Sequence, residues 1–439
     1  MTTGKSRRLV SAVFVILTAF GLFVSSSAIA GDSGYSRYFT SGALRIDLYH
    51  VGNAESEEYI LDKIFKEPVW AGNPANLLDT LNLGNYMVRV FDLETSRLIY
   101  SAGYCAMFGE WQTTDEAAKV KRTFEESVII PFPKHKVQVR IDRRDRENIF
   151  HNIYDTVVDP SDYHISTEKR HRDFRVVNIV DNGDYRKKVD LVIIGDGYTA
   201  NELHKMRSDA KRLVKVLFDT EPYKSRKRDF NVRLVEAVSA ESGVDEPRKG
   251  RYRDSALGFS FNAFDIKRYM LSSNNKAIRD AASRAPYDAI IVIVNTGRYG
   301  GGGIFNLYAV SSVDNEYSGY VFTHELGHSF AGLADEYYSS KVAYNDMYPR
   351  GVEPWEPNIT ALLDPKHIKW GDLIKPGTPI PTPDDSLYDG VVGCFEGAGY
   401  AAKGLYRSYR TCRMFAKGLV DFCPVCQRAI NKRIDFFTE

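Results

Sequence analysis

The chain after residue 43 alternates between apolar and polar positions, which is the pattern of half-buried β-strands. Leu44, Ile46 and Leu48 fall on one face of the first such strand. Similar runs predict further short strands at residues 86–92, 97–100, 128–130 and 137–141. The first two of these are joined by a turn-like tetrapeptide and should form a hairpin. Short alternating strands of this kind predict a β-sandwich over residues 31–165.

The pattern changes in the second part of the chain, where apolar strands alternate with helical spacing. Residues 189–195 and 289–295 are mostly apolar, as expected of central strands that are covered on both faces. Asn201 is a predicted helix N-cap, and apolar residues follow it at helical intervals: Leu203, Met206, Ala210, Leu213, Val214 and Leu217. Strands that alternate with helices predict an α/β domain. We therefore expect two domains, the second over residues 166–439.

The first thirty residues predict a secretory signal peptide. Lys5, Arg7 and Arg8 precede an apolar run over residues 9–24, and small residues at 28–30 complete a cleavage-site pattern. We expect a secreted or periplasmic product without stable insertion in a membrane, because no later segment is apolar enough to cross a bilayer. Removal of the segment changes the net charge from +1 to about −2, so the charge gives no indication of nucleic-acid binding.

The most informative motif is HExxH, which runs from His324 to His328. Residues four apart on a helix lie on the same face, so both imidazoles can bind one metal ion. Glu325 lies beside them, where it can accept a proton from water. The motif therefore predicts a zinc peptidase site, with His324 and His328 as metal ligands and Glu325 as the general base. A core helix with two satisfied histidines is the structural alternative, but a buried His-Glu-His row would then need other polar partners.

The longer string HELGHSFAGLADEY resembles the M64 family of metallopeptidases, which is named after an IgA-cleaving peptidase. Further segments are similar to that family: residues 193–199, 300–305, 307–310, 412–414 and 422–426. The region before them resembles the family's N-terminal β domain. The resemblance implies a zinc-dependent endopeptidase with a metzincin-like catalytic domain, acting on protein or peptide, and it identifies Met414 with the methionine beneath the metal. It does not imply that this chain cleaves IgA.

The third metal ligand must come from outside the motif, and His367 is the only later histidine. In metzincins the zinc helix ends at a glycine, and the third ligand follows three residues later. Gly332 corresponds to that glycine, so the resemblance implies Asp335 as the ligand. Glu336 is the close alternative. More distant glutamates are weaker alternatives: Glu353, Glu356 and Glu396.

The chain has five cysteines, and four of them follow residue 390: Cys394, Cys412, Cys423 and Cys426. Because an exported chain can form disulfides, we expect two bridges among these four, in one of three pairings. The CxxC at Cys423 and Cys426 is also the pattern of half a zinc site, but no second CxxC accompanies it. Cys105 is left over, either as an inert buried thiol or as a thiolate that caps the catalytic metal.

Two segments near the motif predict the walls of a cleft. The glycine run at residues 300–303 lacks the lysine of a nucleotide-binding loop, so we interpret it as a flexible lip. Residues 307–312 could then form an exposed edge strand that pairs with a substrate peptide. A side-chain donor is expected to help the metal stabilise the oxyanion, and the nearby tyrosines are candidates: Tyr337, Tyr338, Tyr400 and Tyr406.

Together these features predict a secreted zinc metalloendopeptidase in which His324, His328 and Asp335 bind Zn²⁺. Two other classes of function stay open. One is a non-catalytic protein- or glycan-binding protein on a peptidase scaffold, which the intact Glu325 disfavours. The other is a zinc amidase that acts on cell-wall peptide, which the HExxH motif does not exclude.

Overall fold

The structure is a computed structural model that describes residues 1, 34–168, 173–339, 347–418 and 420–439. Apart from Met1, the predicted signal peptide lies outside the described residues. Within those ranges, every helix is too short or too polar to cross a lipid bilayer.

Alternating apolar residues place the strands of the N-terminal part in two antiparallel sheets. One sheet has the strand order β2-β1-β5 and the other has the order β4-β3-β6-β7. Side chains from both sheets share one hydrophobic core, in agreement with the predicted sandwich. The predicted hairpin is confirmed as the antiparallel pair β3 and β4. The elements are α1 (Tyr35–Tyr38), β1 (Phe39–Gly52), β2 (Glu57–Glu67), β3 (Tyr86–Asp92), β4 (Leu98–Tyr104), α2 (Met107–Trp111), β5 (Arg122–Pro133), β6 (Val137–Arg144) and β7 (Phe150–Val158).

The polar face of β1 is buried against the second part of the chain. Its apolar residues enter the sandwich core, yet Arg45 and Asp47 on the opposite face are also buried. Arg45 donates to Asp47 (Nε–Oδ1 2.6 Å) and to Asp280 of the C-terminal part (Nη1–Oδ1 2.6 Å). Each buried charge therefore has a partner of opposite sign, which offsets the cost of removing it from water. The alternation in β1 thus marks a contact between the two parts rather than a surface facing water.

The C-terminal part is built around a mixed sheet with the order β14-β15-β13-β9-β10-β8. Neighbouring strands from β15 to β10 are parallel, while β14 and β8 pair antiparallel at the two sides. The elements are β8 (Arg175–Val180), β9 (Val189–Asp196), α3 (Leu203–Phe218), β10 (Phe230–Glu236), β11 (Ser260–Phe261), β12 (Met270–Leu271), α4 (Asn275–Ala282), β13 (Ala289–Val294), β14 (Gly301–Ile304), β15 (Tyr308–Ser312), α5 (Ser318–Ala331), β16 (Ile359–Thr360), β17 (Phe395–Ala398), β18 (Ala401–Arg407) and α6 (Pro424–Thr438).

Helices cover both faces of this sheet. Leu191 and Ile193 of β9 pack with α3, α5 and α6, whereas Val192 and Ile194 share a second core with α4. A strand buried on both faces has no polar side to display, which explains the nearly continuous apolar run in the sequence. The layering agrees with the predicted α/β part. The last strand of the N-terminal sheets, β7, ends at Val158, Ser166 still bridges to β2, and the mixed sheet begins at Arg175, so the boundary expected near residue 165 stays a prediction.

The expected edge strand is not at an edge. Tyr308–Ser312 has β13 on one side and β14 on the other, so the prediction that this segment is free to pair with substrate is wrong. The glycine run is also not a flexible lip, because Gly301–Ile304 forms β14 itself. Its glycines are explained by close packing on the HExxH helix. A Cβ atom at Gly303 would lie 2.4 Å from the backbone oxygen of Glu325 and 3.0 Å from His328 Cβ.

We predict that Gly303→Ala destabilises the protein by about 1–3 kcal/mol, because the added methyl must push β14 away from α5. Thermal or urea unfolding followed by circular dichroism measures the effect. Gly371→Ala is the matched control, since the atom nearest to its added Cβ is 3.8 Å away. Equal stability of the two variants would show that β14 does not need this close approach.

Candidate metal centre

The HExxH motif lies in the last turns of α5, and the chain reverses immediately after it. Gly332 adopts a left-handed conformation (φ +63°), which glycine accepts without strain. Its N–H donates to the carbonyl of His328 (3.0 Å), and Leu333 N–H donates to the carbonyl of Gly327 (3.2 Å). These bonds satisfy carbonyls at the helix end and turn the following residues back towards the imidazoles.

The structure brings His324, His328 and Asp335 together. The two Nε2 atoms are 3.2 Å apart, and Asp335 Oδ1 lies 3.1 Å from the first and 3.3 Å from the second. Zinc bonds of about 2.0–2.1 Å in a tetrahedron place ligand atoms roughly 3.3 Å from one another. The three atoms therefore form a triangle of the right size for one zinc ion, with a fourth direction left for water.

Hydrogen bonds fix the orientation of each of these side chains. His324 Nδ1 is 2.9 Å from the carbonyl oxygen of Arg413, and His328 Nδ1 is 2.6 Å from that of Leu333. Both rings must donate through Nδ1, which leaves the Nε2 lone pairs for a metal. Tyr400 Oη donates to the second carboxylate oxygen, Asp335 Oδ2 (2.5 Å). Such outer partners are typical of metal sites, because they orient the ligands, and the carbonyl acceptors also raise the basicity of the imidazoles.

The electrostatics of the group favour a cation. Burial alone would lower the pKa of His328, but the charge of Asp335, the hydrogen bond to it and the charge of Glu325 together raise that pKa to about 9. The two imidazoles in turn hold the pKa of Asp335 well below its usual range, although burial acts in the opposite direction. A metal ion at the Nε2 atoms would displace the proton that Asp335 stabilises, so metal binding competes with protons.

Glu325, the predicted general base, lies in the same cleft as the three candidate ligands and keeps some exposure to solvent. Burial raises the pKa of its carboxyl, while the nearby histidines act in the opposite direction. A carboxylate with a raised pKa is a better proton acceptor than an ordinary surface glutamate.

The alternative ligands have hydrogen-bond partners outside the triangle, although Glu356 also lines the cleft. Glu336 Oε1 accepts from Asn358 Nδ2 (3.0 Å) and lies 3.3 Å from Cys426 Sγ, so this side chain faces away from the imidazoles. Glu353 accepts from Thr360 and from the backbone of Ala361. The two other glutamates have partners outside the triangle as well: Glu356 with Tyr348 and Glu396 with Gly404.

Met414 lies behind the motif. Its sulfur would be 3.1 Å from a Cβ atom at Gly327, the residue between the two imidazoles on the helix. Its carbonyl accepts from Glu336 N–H (2.9 Å), which ties the segment to the chain after α5. The position beneath the histidines is the one that the family resemblance implies.

The cleft also contains residues that the sequence did not single out. Arg268 Nη2 donates to Tyr337 Oη (3.2 Å), and Tyr299 lies near Glu325. The N-terminal part contributes Cys105, which the sequence offered as a metal cap, and two residues that the sequence did not mark, Asn85 and Glu110. Such residues carry no local signal, because only the fold brings these separate segments together. Among the proposed tyrosines, Tyr337 and Tyr400 line the cleft.

The expected disulfides are not confirmed. Each of the five cysteines, all in described positions, carries a free thiol. Cys412, Cys423 and Cys426 gather around Glu336, whereas Cys394 is outside that group. Cys105 is buried in the lining of the cleft, and burial raises the pKa of its thiol, which favours the neutral form.

Comparison with known families gives two matches. The profile described as IgA Peptidase M64 matches residues 177–388 and 384–434. The profile described as Peptidase M64 N-terminus matches residues 34–155. A search of curated proteins found no match. The first profile covers the candidate metal centre, and the second covers the β-sandwich.

We predict that Asp335→Ala weakens zinc binding by more than about 100-fold. Loss of a residue that only hydrogen-bonds to a ligand costs roughly 10–100-fold, and loss of the ligand itself costs more. The physical reason is that one corner of the ligand triangle is removed. Zinc titration against a competing chelator measures the change. Glu396→Ala is the control, since that alternative ligand is exposed and is not among the residues that line the cleft. If Asp335→Ala binds zinc as tightly as the wild type while Glu396→Ala binds it more weakly, Asp335 is not a ligand.

Proposed function

The chain belongs to the M64 family of peptidases, and we propose that it is a zinc-dependent endopeptidase in which Glu325 is the general base. The observation that carries this proposal is the triangle of His324 Nε2, His328 Nε2 and Asp335 Oδ1, with sides of 3.1–3.3 Å. A metzincin-like arrangement is supported by Asp335, three residues after the glycine that ends the helix, and by Met414 behind it.

The donor set suits zinc, since two neutral imidazoles and one carboxylate leave one position open. Zinc bound there would acidify a water molecule and polarise the carbonyl of the scissile bond. Glu325 then accepts the proton of that water and passes it to the leaving amine. Because His324 and His328 are fixed through Nδ1, their Nε2 atoms keep their positions during the reaction.

We propose Tyr337 as the side-chain donor that stabilises the developing oxyanion. Its ring lines the cleft next to Asp335, and Arg268 donates to its hydroxyl, which orients the phenol. Burial and the Asp335 charge raise the pKa of Tyr337 well above its usual value, so the phenol keeps its proton. A neutral phenol near the metal can donate to an oxyanion, whereas a phenolate cannot.

We also propose that the enzyme is exported and acts on extracellular protein. The basic start, the apolar run at 9–24 and the small residues at 28–30 support export. Mass spectrometry of the protein purified after secretion identifies its first residue, and we expect this residue to be Gly31.

Glu325→Gln is expected to keep its zinc and to lower the rate of peptide hydrolysis by about 10²–10⁴-fold, because the amide cannot accept the proton. Zinc content and cleavage of unfolded protein and of IgA are measured on the same preparations. Glu316→Gln is the matched control, as an exposed glutamate just before α5. Full activity in Glu325→Gln would refute its role. Zinc without peptide cleavage in the wild type, but with cleavage of a cell-wall peptide, would favour the amidase.

Tyr337→Phe is expected to lower kcat by about 10²–10³-fold with little change in KM, because an oxyanion donor acts mainly in the transition state. Steady-state kinetics on one fluorogenic peptide separate the two parameters. Tyr338→Phe is the control, since the neighbouring ring packs towards Phe415 instead of the cleft. An equal loss of activity in both variants would indicate a structural effect rather than a donor.

A further inference from the structure

A second group of potential metal ligands lies behind the candidate centre. Glu336, Cys412, Cys423 and Cys426, here named the thiol cluster, offer one ligand atom each within 4.8 Å of one another. All four residues are buried. The cluster does not line the cleft, and its carboxylate is adjacent in sequence to Asp335 but turned away from the imidazoles.

Two distances within the cluster fit a tetrahedral zinc site. Cys412 Sγ and Cys426 Sγ are 3.7 Å apart, and Cys426 Sγ is 3.3 Å from Glu336 Oε1. With zinc–sulfur bonds of about 2.3 Å, a tetrahedron separates two sulfurs by roughly 3.8 Å and a sulfur from an oxygen by roughly 3.5 Å. A covalent disulfide would instead require an S–S distance of about 2.05 Å.

The backbone around Cys423 favours a thiolate at the start of α6. Cys423 is the N-cap of α6, and its sulfur accepts from Cys426 N–H (3.4 Å). Cys423 N–H in turn points to Cys412 Sγ (3.3 Å), and the Ser408 hydroxyl is 3.3 Å from Cys423 Sγ. The positive end of a helix and several N–H donors lower the cost of negative sulfur, as in known metal-binding thiols.

One polar atom of the cluster lacks a partner. Glu336 Oε2 is fully buried and makes no hydrogen bond within the described residues, while Oε1 is fixed by Asn358. An unpartnered buried carboxylate oxygen is costly, and a cation beside the Glu336 carboxylate lowers this cost by electrostatic attraction. The nearby guanidinium of Arg407 is also buried and its charge acts on Glu336, which offsets part of the excess negative charge of three thiolates and one carboxylate around a divalent cation.

We propose that the thiol cluster binds a second zinc ion, through Cys412, Cys423, Cys426 and Glu336, at a closed structural site. Four protein ligands leave no open position for water, so this site supports the fold and takes no part in hydrolysis. Soft thiolate ligands select zinc over magnesium or calcium. The proposal does not depend on the catalytic role of the first centre.

The position of the cluster gives the second ion a structural purpose. Cys412 precedes Arg413, whose carbonyl accepts from His324, and Met414, whose carbonyl accepts from Glu336 N–H. A metal that joins Cys412 to Glu336 and to the start of α6 would fix this segment against α5. The second ion would thereby orient one imidazole of the first centre.

The first experiment compares the wild type with the double variant His324→Ala/His328→Ala, which leaves the thiol cluster intact. Metal analysis by mass spectrometry should give about two zinc ions per chain in the wild type and about one in the double variant. Cobalt-loaded double variant should keep a near-ultraviolet thiolate-to-cobalt charge-transfer band. Cys423→Ser should lose that band, and Cys394→Ser, which removes a buried thiol outside the cluster, should keep it.

The outcomes separate this proposal from the proposed function. One zinc in both the wild type and the double histidine variant would support the thiol site and count against zinc at the histidines. A folded double variant without zinc and without the cobalt band would overturn the thiol site. A disulfide among Cys412, Cys423 and Cys426, found by peptide mapping without reduction, would overturn it too. If Cys423→Ser does not fold, the zinc content and the cobalt band of the double histidine variant still test the thiol site.

Discussion

The chain reversal at Gly332 is the constraint on which the rest of the site depends. Its left-handed backbone ends α5 one turn after His328 and starts an extended segment. In that segment Asp335 and Glu336 point in different directions, the first to the imidazoles and the second to the thiol cluster. A β-carbon at position 332 would be strained by the backbone conformation and would lie 3.0 Å from the ring of Trp355. Two groups of ionisable residues are thus positioned by a single glycine.

Burying so many ionisable groups is unfavourable unless each has a partner and the surrounding fold is stable. The partners are supplied by backbone carbonyls, by Tyr400 and by the side chains themselves. The stability comes from the strands β9 and β13, which are buried on both faces. The N-terminal part contributes to the same structure, since Leu83 and Cys105 enter the second core of the C-terminal part. The β-sandwich is therefore a wall of the cleft rather than a separate appendage.

The sequence predicted the features that depend on local spacing. The i, i+4 histidines, the apolar central strands and the hairpin all follow from periodicity, and the structure contains each of them. Features that depend on distant partners could not be predicted in the same way. The burial of Arg45 requires Asp280, which is far away in the chain. The glycine run of β14 has no side chains because the strand packs closely on α5. A flexible loop has the same composition, so the sequence alone does not distinguish the two.

The cysteines show why spacing alone could not decide between two chemistries. An even number of cysteines after residue 390 indicates pairing, and an exported chain permits it. The fold separates Cys394 from the other three and brings Glu336 to them instead, so one thiol would be left over from any disulfide. A buried carboxylate takes no part in a disulfide bond, whereas it is a ligand for a metal ion. The residues that the fold places beside the CxxC motif therefore favour a metal site over a disulfide. Because Arg413, beside Cys412, orients His324, the chemistry of the thiols bears directly on the geometry of the first centre.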